Sequence, residues 1–587
     1  EDSDGSDDTS DDTSDDTDDD ESVSDHHQSS ASFYTHSMTR GTSSKRGRRR
    51  SAPNSQQPTS EERRWHFPCD PDEAPPIPKF EPNYPPGPRI DMSASWTPLS
   101  LFKLFFTPSV IKTIIDNTNE HAAQRKESGL RYKWTSVTVP DFYIFLVIVI
   151  FSGLVQVHTR SDMWRTQWPY QFLFPRNWMP RDRFEAIFWS LHLANIKEDE
   201  ENQKKKGTPQ YDRLFKIKPL YNQIVKACTT LYQPNKEISI DERMVASKAR
   251  VSYKQYLRCK PTRHGYKLFV LADSRTGYTW NFFIYQGKNT KQRSAERGET
   301  GLGFATVMDL MKFNILGKGY HLYIDSFYTS TRLFKALADH DTVACGTIRQ
   351  ALVDFPKTSI NDLPRHADRG DMRWMRKGSL LFIKWKDTKE VALCTNIHKA
   401  SSGSHIARRV KEDGQWILKD IAIPDAIKDF NKYMGGVDLS DTLIQFYCVL
   451  GKTMRWYKTF FYHFVDIAIV NSYILSKQVS MRKGQTPMTH KRFREVLMRQ
   501  LAEESRVVAD LDGAPCRTLT NTCMPMYFGE DATAQRKSCA LCKEEKKKAK
   551  TPVYCSRCNV ALCLTAKRNC FAKYHLKNDT TTEKFNT

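Results

Sequence analysis

Lys236-Glu237-Ile238-Ser239-Ile240-Asp241-Glu242-Arg243-Met244 alternates apolar and polar side chains, as a half-buried β-strand does, and ends on charges. Two more strand-like runs follow, Tyr266–Ala272 (YKLFVLA) and Tyr278–Gln286 (YTWNFFIYQ). Asp273-Ser274-Arg275-Thr276-Gly277 lies between them, a hairpin loop in which glycine supplies a positive φ. Phe304, Val307, Met308 and Met311 then mark one side of a helix. A strand at Tyr320–Ile324, a helix from about Ser330 to Ala338 and a strand at Val343–Ile348 complete the series.

Three strands, a helix, a strand, a helix and a strand is the order of an RNase H-like domain, in which the first and fourth strands are neighbours. Asp241 closes the apolar run Ile238-Ser239-Ile240, and Asp325 closes Leu322-Tyr323-Ile324. That adjacency would bring both acids within reach of one metal ion. A third acidic group follows Gly435-Gly436-Val437, where Asp438 and Asp441 share one face of any helix that begins there. An Asp at a strand end is most often a turn former or a helix cap; the combination within one topology is what points to chemistry. Convergent carboxylates raise one another's pKa and need cations. Hard oxygen donors suit magnesium or manganese, and two such ions can activate the attacking oxygen and stabilise the leaving one in phosphodiester displacement.

Outward from this core, Leu101, Leu104, Phe105, Ile111, Ile114 and Ile115 recur at helical spacing, as do Phe184, Ile187, Phe188 and Leu191. Residues 351–423 are short apolar runs among charges, expected to form a small β-rich insertion. Helical texture returns from about Asp438 to Arg499. The most apolar run, Phe142 to Val157, holds Ser152, Gly153 and Gln156, and the run Phe460 to Leu475 is broken by His463, Asp466 and Asn471. Both fall short of the ~20 apolar residues of a membrane span and read as buried helices, so no membrane insertion is expected.

The formal charge is +21, yet the first 25 residues carry 14 acidic groups and no Lys or Arg, which leaves the remainder at +35. Such an excess points to a polyanionic partner, nucleic acid first and an anionic membrane second. The Ser/Thr/Asp-rich opening cannot bury apolar area and is expected to be disordered. Lys45-Arg46-Gly47-Arg48-Arg49-Arg50 fits a nuclear import signal, or a solvated linker, and nine prolines over 66–97 make an extended connector. The chain opens on Glu1 and Asp2, the reverse of a secretory signal, and its natural start is expected to lie upstream.

Of fourteen cysteines, eight fall between Cys516 and Cys570. Cys539-x2-Cys542 and Cys555-x2-Cys558, twelve residues apart, are zinc knuckles, and Cys563, Cys570 and His575 bring the donors to seven. Seven exceed the four of one ion, so two structural zinc ions are implied, with an eighth donor upstream. Cys523 is the candidate and Cys516 the reserve. The scattered cysteines read as reduced and buried, in an intracellular protein. The Lys543–Lys550 segment (KEEKKKAK) reads as a DNA-phosphate contact or a solvated loop, and a RING- or PHD-like protein-interaction module has similar ligand spacing.

Ser239-Ile240-Asp241-Glu242, Tyr323-Ile324-Asp325-Ser326-Phe327-Tyr328-Thr329-Ser330, Cys345-Gly346-Thr347-Ile348-Arg349, Gly435-Gly436-Val437-Asp438-Leu439-Ser440-Asp441 and Lys452-Thr453-Met454-Arg455-Trp456 resemble, in order, the piggyBac transposases, as does the terminal cysteine module. The resemblance covers roughly residues 98–580. It implies a DDD transposase with catalytic Asp241, Asp325 and Asp438, Asp441 near the site, and cut-and-paste movement through hairpin ends at TTAA targets by a homodimer. It also implies recognition of transposon-end DNA by the zinc module.

DNA contact is expected from Lys452, Arg455 and Trp456, from Lys260, Arg263 and Lys267 in a turn before the second strand, and from Arg349. Trp456 could equally face a core and Lys267 snorkel from the sheet edge. Ser326 stands where the family commonly has Asn, and Gln350-Ala351 replaces a more basic continuation. The expected organisation is a tail over 1–97, helical DNA-binding and dimerisation segments over 98–233 and 448–515, the RNase H-like domain over 234–350 and 424–447, the insertion over 351–423 and the zinc module over 516–580. The rival expectations are a domesticated, non-cleaving DNA-binding protein and a chromatin or ubiquitin-pathway factor.

Overall fold

The computed structural model describes residues 70–127, 133–249, 251–287, 301–511 and 523–575, apart from short breaks at 74, 171, 259, 261, 413, 450, 452, 530–534, 557 and 566. The acidic opening, the basic cluster Lys45, Arg46, Arg48, Arg49 and Arg50, Lys452 and Cys516 lie outside the described residues.

The quoted strand is β1, Glu237–Ala246, buried along nearly its whole length because elements cover both of its faces. With β2 (His264–Asp273), β3 (Thr279–Ile284), β4 (His321–Ile324) and β5 (Val343–Thr347) it forms one sheet in the order β3-β2-β1-β4-β5. β2 runs antiparallel to β1 and β3, whereas β4 is parallel to both β1 and β5. Parallel neighbours need crossovers, and helices supply them. α8, Gly301–Leu310, lies between β3 and β4 and packs on β2 and β3; α9, Thr331–Ala338, capped by the Ser330 side chain, leads to β5.

One expectation fails in detail. β1 does not end at Asp241, since its pairing with β2 continues from Asp241↔Val270 to Ala246↔Gly265. Only the parallel partner β4 stops there. Residues 351–423 are β-rich as expected, but three of their strands extend the main sheet: β6 (Met372–Lys377), β7 (Leu380–Lys386) and β8 (Glu390–Thr395) are antiparallel, and β8 pairs with β5 at Cys345↔Thr395. Without β8, β5 would offer a bare edge of buried residues. The hairpin of β9 (His405–Glu412) and β10 (Gln415–Ala422) forms a separate two-stranded sheet.

The helices before and after the sheet pack together. α1 (Pro98–Lys103), α2 (Pro108–Glu127), α3 (Val139–Leu154), α4 (Leu173–Trp178), α5 (Arg181–Ser190), α6 (Ile196–Lys204) and α7 (Lys218–Thr230) precede it. α10 (Asp425–Tyr433), α11 (Gly436–Gln445), α12 (Trp456–Arg482) and α13 (His490–Leu511) follow it. α13 lies on α3, and α1 touches both α12 and α13, with Lys103 Nζ 2.6 Å from Glu504. Both long apolar runs are buried helices, and among the described residues no helix is long and apolar enough to cross a membrane. The polar breaks in the second run have partners: Asn471 donates to the Thr279 carbonyl at 2.9 Å and accepts from its N–H at 3.1 Å, tying α12 to β3, and Asp466 accepts from Val449 N–H.

Candidate active site and metal centres

The last register pair between β1 and β4 is Ile240↔Ile324, so Asp241 and Asp325 are the next residue on each of two parallel strands and emerge side by side. One carboxylate oxygen from each, and one from Glu242, all lie within 4.8 Å of one another. Hard carboxylate oxygens grouped this closely are the donor set that suits a divalent ion such as magnesium or manganese. Sequence reasoning passed over Glu242 because strand alternation sends it to the face opposite Asp241. Its adjacency to Asp241 was the only signal.

Asp325 begins a tight turn in which its Oδ1 accepts from Phe327 N–H at 2.9 Å and its carbonyl accepts from Thr329 Oγ1 at 2.9 Å. Burial, then the charges of Glu242 and Asp241, push its carboxyl up to about 6. Glu242 is likewise pushed up by burial and by Asp241, although Lys267 at 3.1 Å and the Tyr328 hydroxyl at 2.8 Å both donate to it. Lys260 brings a cation to the cluster, its Nζ 2.9 Å from Asp241 Oδ2.

Asp438 sits in the first turn of α11, which approaches β1 closely because Gly436 has no side chain. A Cβ there would meet Ser239 Oγ at 2.5 Å and Ser274 Cα at 2.9 Å. Gly277, at φ +73°, turns the β2–β3 loop beneath Leu439 on the same helix. Asp438 lies outside the tight cluster of three but within its field: burial raises its pKa, Lys260 opposes this, and Asp241 adds to it. Asp441 is committed elsewhere. It pairs with Arg243, whose side chain is 2% exposed and also donates to Ser440 Oγ at 2.8 Å. Burial still pushes the Asp441 carboxyl up against that pairing.

The expected DNA contacts separate into two groups. Arg263, Arg349 and Arg455 are exposed. Lys267 is not presented outward: its side chain is 12% exposed, paired with Glu242 and seated over the Phe269 and Phe327 rings, because its strand is covered on that face. Trp456 is half-buried among Tyr253, Tyr457 and Phe460, the core-facing alternative. Lys260 points into the acid cluster.

In the terminal module, Cys539, Cys542, Cys563 and Cys570 form one group of four donors and Cys523, Cys555, Cys558 and His575 a second, each within 4.8 Å. Cys542 Sγ is 3.5 Å from Cys570 and 4.0 Å from Cys563, and Cys523 Sγ is 3.7 Å from Cys558. Tetrahedral zinc with Zn–S near 2.3 Å has edges of about 3.8 Å, so both groups fit the ion. His575 Nδ1 lies 2.7 Å from the Phe571 carbonyl, which fixes the proton there and leaves Nε2 as the donor facing Cys558 at 3.5 Å. The knuckles interleave along the chain, each completed by residues distant from it.

Comparison with known proteins gives a consistent picture. The family model described as Transposase IS4 matches residues 97–473. PiggyBac transposable element-derived protein 3 of Homo sapiens is 29% identical over 65% of this chain, and derived protein 2 of Homo sapiens is 27% identical over 66%. The chain spans 61% and 62% of their lengths. A piggyBac transposase solved as a synaptic complex with hairpin DNA shares the fold, with TM-score 0.63 and 22% identity over 82% of this chain and 98% of that one.

Proposed function

The chain belongs to the Transposase IS4 family as a piggyBac-like member, and from that premise we propose that it is a DNA transposase of piggyBac type, with Asp241, Asp325 and Asp438 as its catalytic acids. The sheet order β3-β2-β1-β4-β5, with β2 alone antiparallel to β1 and β4, supports an RNase H-like catalytic core. The observation that carries the reading is the register Ile240↔Ile324, which sets Asp241 and Asp325 on neighbouring parallel strands below the helix that bears Asp438.

In this mechanism Asp241 and Asp325 would hold magnesium or manganese from the sheet, and Asp438 would close the site from α11. Such ions, when bound, would supply Lewis-acid activation of the attacking oxygen, of water for nicking or of a 3′ hydroxyl for joining. Glu242 is held beside the two acids by Lys267 and Tyr328, whereas Asp441 is tied to Arg243 and shapes the site rather than opening towards a ligand. The exposed Arg263, Arg349 and Arg455 contact phosphate.

Two structural zinc ions hold the terminal module, which reads transposon-end DNA. The packed helical segments form the DNA-binding and dimerisation domain, and β6 to β10 the insertion. A homodimer, TTAA targets, hairpin ends and a nuclear location set by Lys45–Arg50 complete the proposal; hairpin DNA is what the solved relative holds.

A strand-transfer assay with magnesium tests the reading. Wild type should join transposon ends to target DNA, and Asp325→Ala should not; equal products from both would remove the enzyme. The human relatives are named as element-derived proteins, and the second reading is a DNA binder that keeps the fold and the zinc module without cutting. That protein would shift transposon-end DNA in a gel and yield no joined product.

A further inference from the structure

Two lysines enter the acid cluster, and they are built differently. Lys267 lies in β2, locked between two Phe rings with its ammonium on Glu242. Lys260 comes from a surface turn after β1. The two-residue strand Gln255–Tyr256 anchors the start of that turn to β2, and a Leu257 N–H to Arg263 carbonyl bond of 2.9 Å closes it. From there Lys260 reaches inward on a four-carbon stem to Asp241 at 2.9 Å, with its side chain still 28% exposed. Glu242 and Asp438 add to the attraction. One cation is therefore fixed, and the other can withdraw to solvent without disturbing a strand.

We infer that Lys260 is an exchangeable counter-cation of the acid cluster, which neutralises Asp241 in the metal-free protein and is displaced from it by a divalent ion. The inference rests on the metal-holding role proposed above. An ammonium 2.9 Å from Asp241 Oδ2 opposes a doubly charged ion on the same carboxylate, since the two cations repel at close range. The displaced ammonium remains on its turn beside Arg263, where a phosphate of the DNA strand can receive it. Metal and DNA are then linked: DNA that draws Lys260 outward favours the ion, and the ion favours DNA by the same factor.

The test is manganese binding to the full chain, read from the electron paramagnetic resonance of free Mn2+, with and without a transposon-end duplex. In the absence of DNA, Lys260→Met should bind Mn2+ about tenfold more tightly than wild type, the worth of one charge-assisted hydrogen bond. Lys260→Arg, which keeps the charge, should stay near wild type. DNA should tighten Mn2+ binding in wild type and leave Lys260→Met unchanged. A residue that merely shapes the site would give weaker binding when removed, so the sign separates the two roles.

Asp325→Ala provides the control. If it abolishes Mn2+ binding while Lys260→Met binds no more tightly than wild type, the exchange idea fails and the metal site stands. If wild type itself binds no Mn2+, both fall.

Discussion

Arg243, two residues beyond Asp241 on β1, is buried and donates its Nε–H to Asp441, one helical turn beyond Asp438 on α11. The sheet strand that carries Asp241 thus grips the helix that carries Asp438, next to the proposed site and without entering it. Removing the guanidinium leaves a half-buried carboxylate without its partner, which costs about 1–3 kcal/mol. Arg243→Met should lose that much stability in urea unfolding, and Arg243→Met with Asp441→Leu should recover part of it.

Gly436 makes the same approach possible from the backbone. Gly436→Ala places a Cβ against Ser239 and Ser274, so α11 must lift, at a cost of ~1–3 kcal/mol. Strand transfer should fall further than the melting temperature implies, because Asp438 moves with the helix. Unchanged strand transfer by a stable Gly436→Ala protein would count against Asp438 as a catalytic acid.

The acid cluster makes stability depend on pH. Asp325 is raised to about 6 in the folded chain from an ordinary 3.8, so the folded state holds that proton more tightly than the unfolded one. Its contribution is fully present below the unfolded value and is lost as pH rises through 6. In magnesium-free buffer, wild type should lose melting temperature relative to Asp325→Asn between about pH 4 and pH 7. Millimolar magnesium should remove the difference in slope at the upper end, where the ion takes the place of the proton.

Zinc content tests the interleaved module. Full-chain protein should carry two zinc ions by elemental analysis. Cys523→Ser and Cys555→Ser each remove a donor from the same group, so both should fall towards one. Cys542→Ser should empty the other group, and Cys516→Ser should change nothing, because eight donors already complete two tetrahedra.

Arg263, Arg349 and Arg455 are exposed cations, whereas Lys267 is committed to Glu242. Each Arg→Ala change should weaken duplex binding and reduce the slope of log affinity against log salt by about 0.9. Lys267→Ala should leave that slope nearly unchanged and lower stability instead.

Much of the site was legible in the order of residues, for physical reasons. The alternation of KEISIDERM, the apolar run before Asp325 and the helical start after Gly435-Gly436 are local patterns, set by side-chain periods of 2 and 3.6. The CxxC knuckles are local too, because two thiolates on one turn need no distant help to share an ion. Counting donors against the four of one ion pointed upstream for an eighth, with Cys523 nearest the first knuckle, and the family motifs in fixed order picked out the same three acids as the strand and helix patterns.

What only the tertiary structure decided was register and partnership. Asp241 lies mid-strand rather than at a strand end, because β1 keeps pairing with β2 after β4 has stopped. Glu242 joins the cluster, Asp441 is spent on Arg243, Lys267 on Glu242 and Lys260 on Asp241. The two cysteine knuckles fall in different groups of four donors, each completed by side chains from distant parts of the module. Each outcome is a contest between charges brought together from distant parts of the chain. Distance through space sets Coulomb energy and burial, and neither is written in the spacing along the sequence.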